Sequence, residues 1–373
     1  MKNGAIRAQE ISSARLPALF QKQLEKCRLK AGETVVVLSD LTVRADYIDS
    51  TIAASEALGA NAYEIRLPSV PSWVRVGVDV IGSCKGALDA LKMADLVVTF
   101  HVPVWSDWMK HVLKAGGRIL LMHDSPDDLE ELMAPAGMKE AVRHAERVLA
   151  SAKEGRLLRD DGTDLSWRGG DYRTFALWGA ADEPGHFDLW GGGLVQMFPN
   201  ENSANGRVVL QPGDMVILPY CRYVVHPVDI RIENGYMTSI DGGLDAKLIR
   251  DWLEDNRRDE HDRDPFAISH LGWGLNPQAR WYWTGLYGDT PERNRANARV
   301  FAGNFLFSCG PNTLGGGTRE TMGHCDIPMR DCTVIIDGKT IMDKGRFTDP
   351  KMIVKREMRG RNAPLLQHDQ LER

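Results

Sequence analysis

In Gly323-His324-Cys325-Asp326-Ile327-Pro328 a histidine and a carboxylate stand two residues apart. Residues two apart in a strand point the same way, so an extended backbone would present His324 and Asp326 together and turn Cys325 into the packing behind them. That is half a metal site. The residues that follow support extended backbone, because Cys332 to Met342 reads as two β runs joined by Asp337-Gly338, a strong hairpin signal. A third ligand must come from elsewhere. Upstream, Ile268-Ser-His270-Leu-Gly-Trp-Gly sets one histidine among small and apolar residues, with glycines that allow close backbone approach. Two histidines and one carboxylate make the facial triad of non-haem Fe(II) oxygenases, which keeps positions open for substrate and O₂. The plain alternative stands beside it: with 10 His and 51 acidic residues in 373, a His-x-Asp triplet arises by chance.

The segments His270-Leu-Gly-Trp-Gly-Leu-Asn-Pro-Gln-Ala-Arg, Gly303-Asn-Phe-Leu-Phe-Ser-Cys-Gly-Pro-Asn-Thr and His324-Cys-Asp-Ile-Pro-Met-Arg resemble those of the 2,5-dihydroxypyridine 5,6-dioxygenase family. The likeness extends over most of the chain, including Asp182-Glu-Pro-Gly and Phe198-Pro-Asn-Glu-Asn-Ser, and is clearest after residue 180. That family comprises Fe(II) extradiol-type ring-cleaving enzymes with a fold related to the M29 aminopeptidases. The resemblance implies that His270, His324 and Asp326 hold the metal. It also implies two further active-site histidines, and at those positions this chain carries Trp105 and Leu189. Neither side chain can shuttle protons as imidazole does. Both are therefore expected at the substrate pocket, as apolar surface, with Trp190 beside them.

Other residues carry two readings each. Arg299, whose family counterpart lies near the substrate, is an anion or phenolate anchor or else a structural ion pair. Glu201, in Pro199-Asn-Glu-Asn, matches a family position and is the general base or a turn-stabilising carboxylate. His226 follows a β pattern and is a replacement proton carrier or an ordinary surface or core histidine; His101 and His186 are weaker candidates of the same kind. Trp105, Trp108, Trp190, Trp273, Trp281 and Trp283 fall near the motif segments, where rings serve as core or as walls for a flat substrate. Gly315-Gly-Gly317 lacks the lysine and helix start of a P-loop and reads as a flexible loop near the metal.

The elements that must position these residues change character along the chain. Glu33 to Leu38, Ala62 to Leu67, Leu96 to Phe100 and Arg118 to Met122 are β runs with helical intervals, among them about Ala45 to Leu58. This alternation predicts an α/β N-terminal domain, residues 1–154, with a mainly parallel sheet. No G-x-G-x-x-G follows the first strand, which disfavours nicotinamide and flavin cofactors. An amphipathic helix over Lys139 to Lys153 leads into residues 155–373, a mostly antiparallel β domain with one helix near Leu244 to Asn256, expected to carry the metal site. Asp161-Gly162, Asn205-Gly206 and Asn234-Gly235 are its expected turns, and the charged tail after Thr348 is nearly featureless, with 359–364 mobile.

Composition adds exclusions. With 43% apolar and 26% charged residues and a net charge of −5, the chain suits a soluble protein with no nucleic-acid or membrane partner. The start of the chain lacks the apolar core of a signal peptide. Six cysteines without a C-x-x-C are expected as reduced thiols in a cytoplasmic protein. The expectation is an Fe(II)-dependent ring-cleaving dioxygenase in aromatic catabolism, a homo-oligomer taking a small hydroxylated aromatic or N-heteroaromatic substrate and O₂. The alternative is a divalent-metal hydrolase of the M29 type, with Zn²⁺ activating water and Glu201 as base.

Overall fold

The computed structural model describes residues 3–69, 81, 84, 86–100, 106–122, 124–283 and 295–357, with the backbone alone for 3–14 and 295. The chain begins with α1 (Asn3–Lys26), β1 (Thr34–Ser39), α2 (Ala45–Ala57), β2 (Asn61–Arg66) and α3 (Ala87–Lys92). It continues with β3 (Leu96–Thr99), α4 (Asp107–Lys114), β4 (Arg118–Leu121), α5 (Pro126–Glu131) and α6 (Met138–Ser151). Parallel strands covered on both faces read as unbroken apolar runs. Val35 to Leu38, Leu96 to Val98 and Ile119 to Leu121 are accordingly buried throughout. The sheet order is β2-β1-β3-β4-β8, all parallel. Its last strand, β8 (Phe187–Leu189), comes from well beyond residue 155, so the chain returns to complete the first sheet after it has begun the β-rich part. Helix α1 had no counterpart among the sequence expectations; its Leu16, Phe20 and Leu24 are buried, and Gln23 donates to Gly179 O at 2.7 Å.

The β-rich part holds β5 (Glu154–Leu158), β6 (Asp164–Arg168), β7 (Thr174–Leu177), β9 (Leu194–Met197), β10 (Asn205–Leu210), β11 (Met215–Val216) and β12 (Arg222–Tyr223). After them come β13 (Val228–Glu233), β14 (Tyr236–Gly242), α7 (Leu244–Asp255), β15 (Ile268–Gly274), α8 (Arg295–Val300), β16 (Phe305–Cys309) and β17 (Cys325–Met329). The chain closes on β18 (Thr333–Ile336), β19 (Lys339–Asp343) and β20 (Arg346–Phe347). An outer antiparallel sheet has the order β14-β13-β10-β6-β5-β18-β19-β20, and a second one β17-β16-β15-β9-β7. Asn234-Gly235 and Asp337-Gly338 turn their hairpins with positive φ at both residues (51° and 77°; 47° and 76°), which Asn, Asp and Gly tolerate.

Three expectations are corrected. Asn205-Gly206 is not a turn: it opens β10, and Gly206 pairs with Leu165 so closely that a Cβ would lie 2.0 Å from Asp164 O. Helix α6 does more than bridge, since Met138, Ala141, Val142, Ala145 and Leu149 are buried in the core. The tail is bound as far as the described residues go: Met352 is fully buried, Asp349 bonds His144 Nε2 at 2.8 Å, and Glu357 accepts from Ala136 N. Residues 359–364 lie outside the described residues.

Candidate metal centre

Strand β15 runs Ile-Ser-His-Leu-Gly-Trp-Gly, and all seven residues are buried. Its glycines are needed for that depth, because a Cβ on Gly272 would come within 2.0 Å of Val195 O in β9. His270 is thus carried on the central strand of the inner sheet. Two strands away, His324 immediately precedes β17 and Asp326 is its second residue. The period-two argument holds: Cys325 joins the hydrophobic core, while His324 and Asp326 meet His270 on the other face.

The three side chains are almost fully buried, and one ligand atom from each lies within 4.8 Å of the others. His270 Nε2 is 3.1 Å and His324 Nε2 3.3 Å from Asp326 Oδ1. His324 Nδ1 lies 2.7 Å from Cys309 O. A carbonyl only accepts, so Nδ1 carries a hydrogen and Nε2 is the ring nitrogen turned toward Asp326. Burial lowers the pKa of His270, against the opposing pull of Asp326. Burial would raise that of Asp326, but the histidine rings beside it outweigh this and hold the carboxyl well below the usual carboxylate range. A neutral imidazole and an ionised carboxylate are the forms a metal ion requires. No donor is aligned for a hydrogen bond on Asp326 Oδ1 among the described residues, so a cation would satisfy an otherwise costly buried oxygen. Two imidazole nitrogens and one carboxylate oxygen suit a divalent first-row metal.

Arg299, at the end of α8, takes the other oxygen: Nη2 is 3.2 Å from Asp326 Oδ2. Asn304, fully buried and named in the sequence only as part of a segment, fixes that arginine. Its Nδ2 donates to Ala298 O at 2.6 Å and Arg299 O at 3.0 Å, and its Oδ1 accepts from Gly274 N at 2.6 Å. It therefore ties α8 to β15 and, through them, Arg299 to the strand of His270. Phe198 stands edge-on to His270 with centroids 5.9 Å apart.

The remaining candidates fall elsewhere. Glu201 accepts from Asn312 Nδ2, Thr318 N and Thr318 Oγ1, so its lone pairs stitch the 312–318 loop. That loop is packed rather than loose, since a Cβ on Gly315 would come 2.4 Å from the Phe198 ring. His226 has a side chain 57% exposed beside Asp245, which also accepts from its backbone N–H. This is a surface arrangement at the start of α7. His186 stacks on Trp178 at 3.9 Å and bonds buried Asp188 at 3.0 Å. Leu189 pairs with Leu121 and packs with Leu132, Leu177 and Leu194 in an apolar cluster that also takes in Ala296 and Val300 of α8. Trp190, expected as a stacking surface, is a core residue: it is 1% exposed, packs against Phe20 and donates to Leu129 O. Trp108, Trp273 and Trp281 are likewise buried in packing clusters. Trp105 and His101 lie outside the described residues.

Known proteins resemble this chain over most of its length. A relative from Pseudomonas putida KT2440, 2,5-dihydroxypyridine 5,6-dioxygenase, is 34% identical over 349 residues, covering 91% of this chain and 98% of its own. The solved structure of 2,5-dihydroxypyridine dioxygenase from the same organism superposes with a TM-score of 0.86 at 33% identity, over 91% of this chain and 99% of that one. AmpT from Thermus thermophilus superposes with a TM-score of 0.61 at 14% identity, over 90% and 99% of the two chains, a likeness of fold. The family model of 2,5-dihydroxypyridine 5,6-dioxygenase matches residues 15–349, and the chain belongs to that family of dioxygenases.

Proposed function

We propose that the chain is an Fe(II)-dependent dioxygenase that opens the ring of a hydroxylated aromatic or N-heteroaromatic compound. The observation that carries this reading is the convergence of His270 Nε2, His324 Nε2 and Asp326 Oδ1 in a buried cluster of a chain from a dioxygenase family. Bound there, a ferrous ion supplies Lewis acidity and a redox couple for O₂.

The protein's own groups do the rest. Arg299 occupies Asp326 Oδ2 and leaves Oδ1 as the oxygen that would hold the metal beside His270 and His324. Cys309 O orients His324 through Nδ1–H. The depth of all three ligands keeps bulk water from the reacting groups and strengthens the electrostatics of the site. Arg299 also places a fixed positive charge where an ionised ring hydroxyl would be held.

The hydrolase alternative has less support. It needs a carboxylate base, and Glu201 is committed to Asn312 and Thr318. Cysteines that form no disulfide among the described residues fit a reducing, cytoplasmic setting, and no described helix is long and apolar enough to cross a membrane. The homo-oligomer expected with this reading is checked by sedimentation.

The deciding experiment is anaerobic purification with metal analysis, followed by O₂-uptake assays with dihydroxypyridines and dihydroxybenzenes. Iron together with ring-dependent O₂ uptake supports the reading. Zinc together with hydrolysis of aminoacyl anilides, and no O₂ uptake, would sink it.

A further inference from the structure

Strand β15 does not keep simple register with β16. Ile268 stands opposite Cys309 and Leu271 opposite Phe307, so Ser269 and His270 together face the single residue Ser308. One extra residue on one strand is a β-bulge, which interrupts the ladder and re-aims the side chain it carries. At such depth the interruption would leave a backbone amide and carbonyl without partners, at a cost that buried polar groups rarely bear. Ser308 supplies both. Its Oγ accepts from His270 N at 2.8 Å and donates to His270 O at 2.8 Å. A hydroxyl is one of the few groups able to do both through one atom.

The placement of this hydroxyl is specific to the site. Ser308 is fully buried and pairs, on its other side, with Asp326 of β17. Ser269, the other member of the bulge, donates through its own Oγ to Pro311 O, and Gly310 N donates to Ala267 O at 2.8 Å. Backbone is therefore pinned on the N-terminal side of His270. Beyond the bulge, Leu271 to Gly274 pair in regular order with β9. Without the bulge, a shift of one residue would turn the side chain at 270 to the opposite face.

We propose that Ser308 is a positioning residue for His270: its hydroxyl holds the bulge that aims the imidazole at Asp326 Oδ1 and His324, and so sets the metal affinity of the cluster. The inference rests on the reading of His270, His324 and Asp326 as ligands. An internal control exists in the outer sheet, where Thr163 Oγ1 accepts from Val209 N at 3.0 Å and donates to Val209 O at 3.5 Å. It is the same hydroxyl clamp, made in a different sheet.

The test titrates metal-free protein with Co(II) against a competing chelator under anaerobic conditions and records the Co(II) absorption spectrum and the thermal midpoint. Ser308→Ala is expected to weaken Co(II) binding about 10–100-fold, the range seen for loss of groups that orient metal ligands, and to shift the ligand-field band. Ser308→Thr keeps the hydroxyl and restores most of the affinity. Thr163→Val lowers the midpoint and leaves affinity and spectrum unchanged. Should Ser308→Ala not fold, Ser308→Cys, close in size with a weak thiol donor, carries the same expectation. Wild-type affinity and an unshifted spectrum in Ser308→Ala or Ser308→Cys, with at most a lowered midpoint, overturn the inference alone. A wild type that takes up no Co(II) overturns the ligand reading and the inference with it.

Discussion

Arg299 and Asp326 meet through one carboxylate oxygen only: the guanidinium Nη2 is 3.2 Å from Oδ2, while Oδ1 faces the two histidine rings. The arginine thus divides the carboxylate into a held oxygen and an offered one. Replacing it by leucine should free the carboxylate to rotate and leave its buried charge without a counter-ion. We expect metal affinity to fall about 10–100-fold in Arg299→Leu, read by chelator competition. An unchanged affinity with a loss in kcat alone would mean that Arg299 serves the substrate and not the ligand.

Loss of a ligand should be more severe than loss of its support. His270→Ala, His324→Ala and Asp326→Ala are each expected to purify folded, with far-UV circular dichroism like the wild type, and with less than one tenth of the bound iron. Stoichiometric metal in any of the three would remove that residue from the centre.

Glu201 separates two roles by pH. Burial opposes its ionisation, but the donors on Asn312 and Thr318 outweigh it and lower the folded-state pKa. A lowered carboxylate contributes stability above its unfolded pKa, about 4.3, and loses it as pH falls through the folded value. Glu201→Gln should therefore be less stable than wild type by about 1 kcal/mol at pH 7 in urea denaturation. The gap should close below about pH 4 as the wild-type carboxylate protonates. A general base would behave otherwise, with a fall of about 10²–10⁴-fold in kcat and an unchanged midpoint.

The family resemblance alone places histidines where this chain carries Leu189 and Trp105, and from that resemblance a substrate preference is predicted. Leu189 lies in an apolar cluster beside α8 and carries no proton. A small polar ring that loses a partner there loses about 1–3 kcal/mol, about tenfold to a hundredfold in affinity. A bulkier or less polar hydroxylated ring is favoured. Turnover of 2,5-dihydroxypyridine with kcat/KM of about 10⁴ M⁻¹s⁻¹ or more would refute this.

Much of the molecule is legible in the order of residues alone, for reasons of period and reach. Unbroken apolar runs such as Val35 to Leu38 mark covered parallel strands, and the two-residue step from His324 to Asp326 places both on one face of a strand whatever surrounds it. The pairing of His270 with them was legible through the family resemblance, because ligand type and segment travel together. What local sequence does not carry is the partner. Gly206 looks like a turn and is a strand residue because Asp164 O approaches it too closely for any side chain. Glu201 looks like a base and is a stitch because Thr318 and Asn312, more than a hundred residues on, aim their donors at it. Trp190 looks like a ligand wall and is core because α1, unmarked in the sequence reading, lays Phe20 against it. Ser308 stands in the sequence only as one residue of the Gly303–Thr313 segment: its hydroxyl matters because β15 bulges opposite it. Residue type and spacing determine which atoms are on offer and on which face; the pairing of distant strands decides which of them meet.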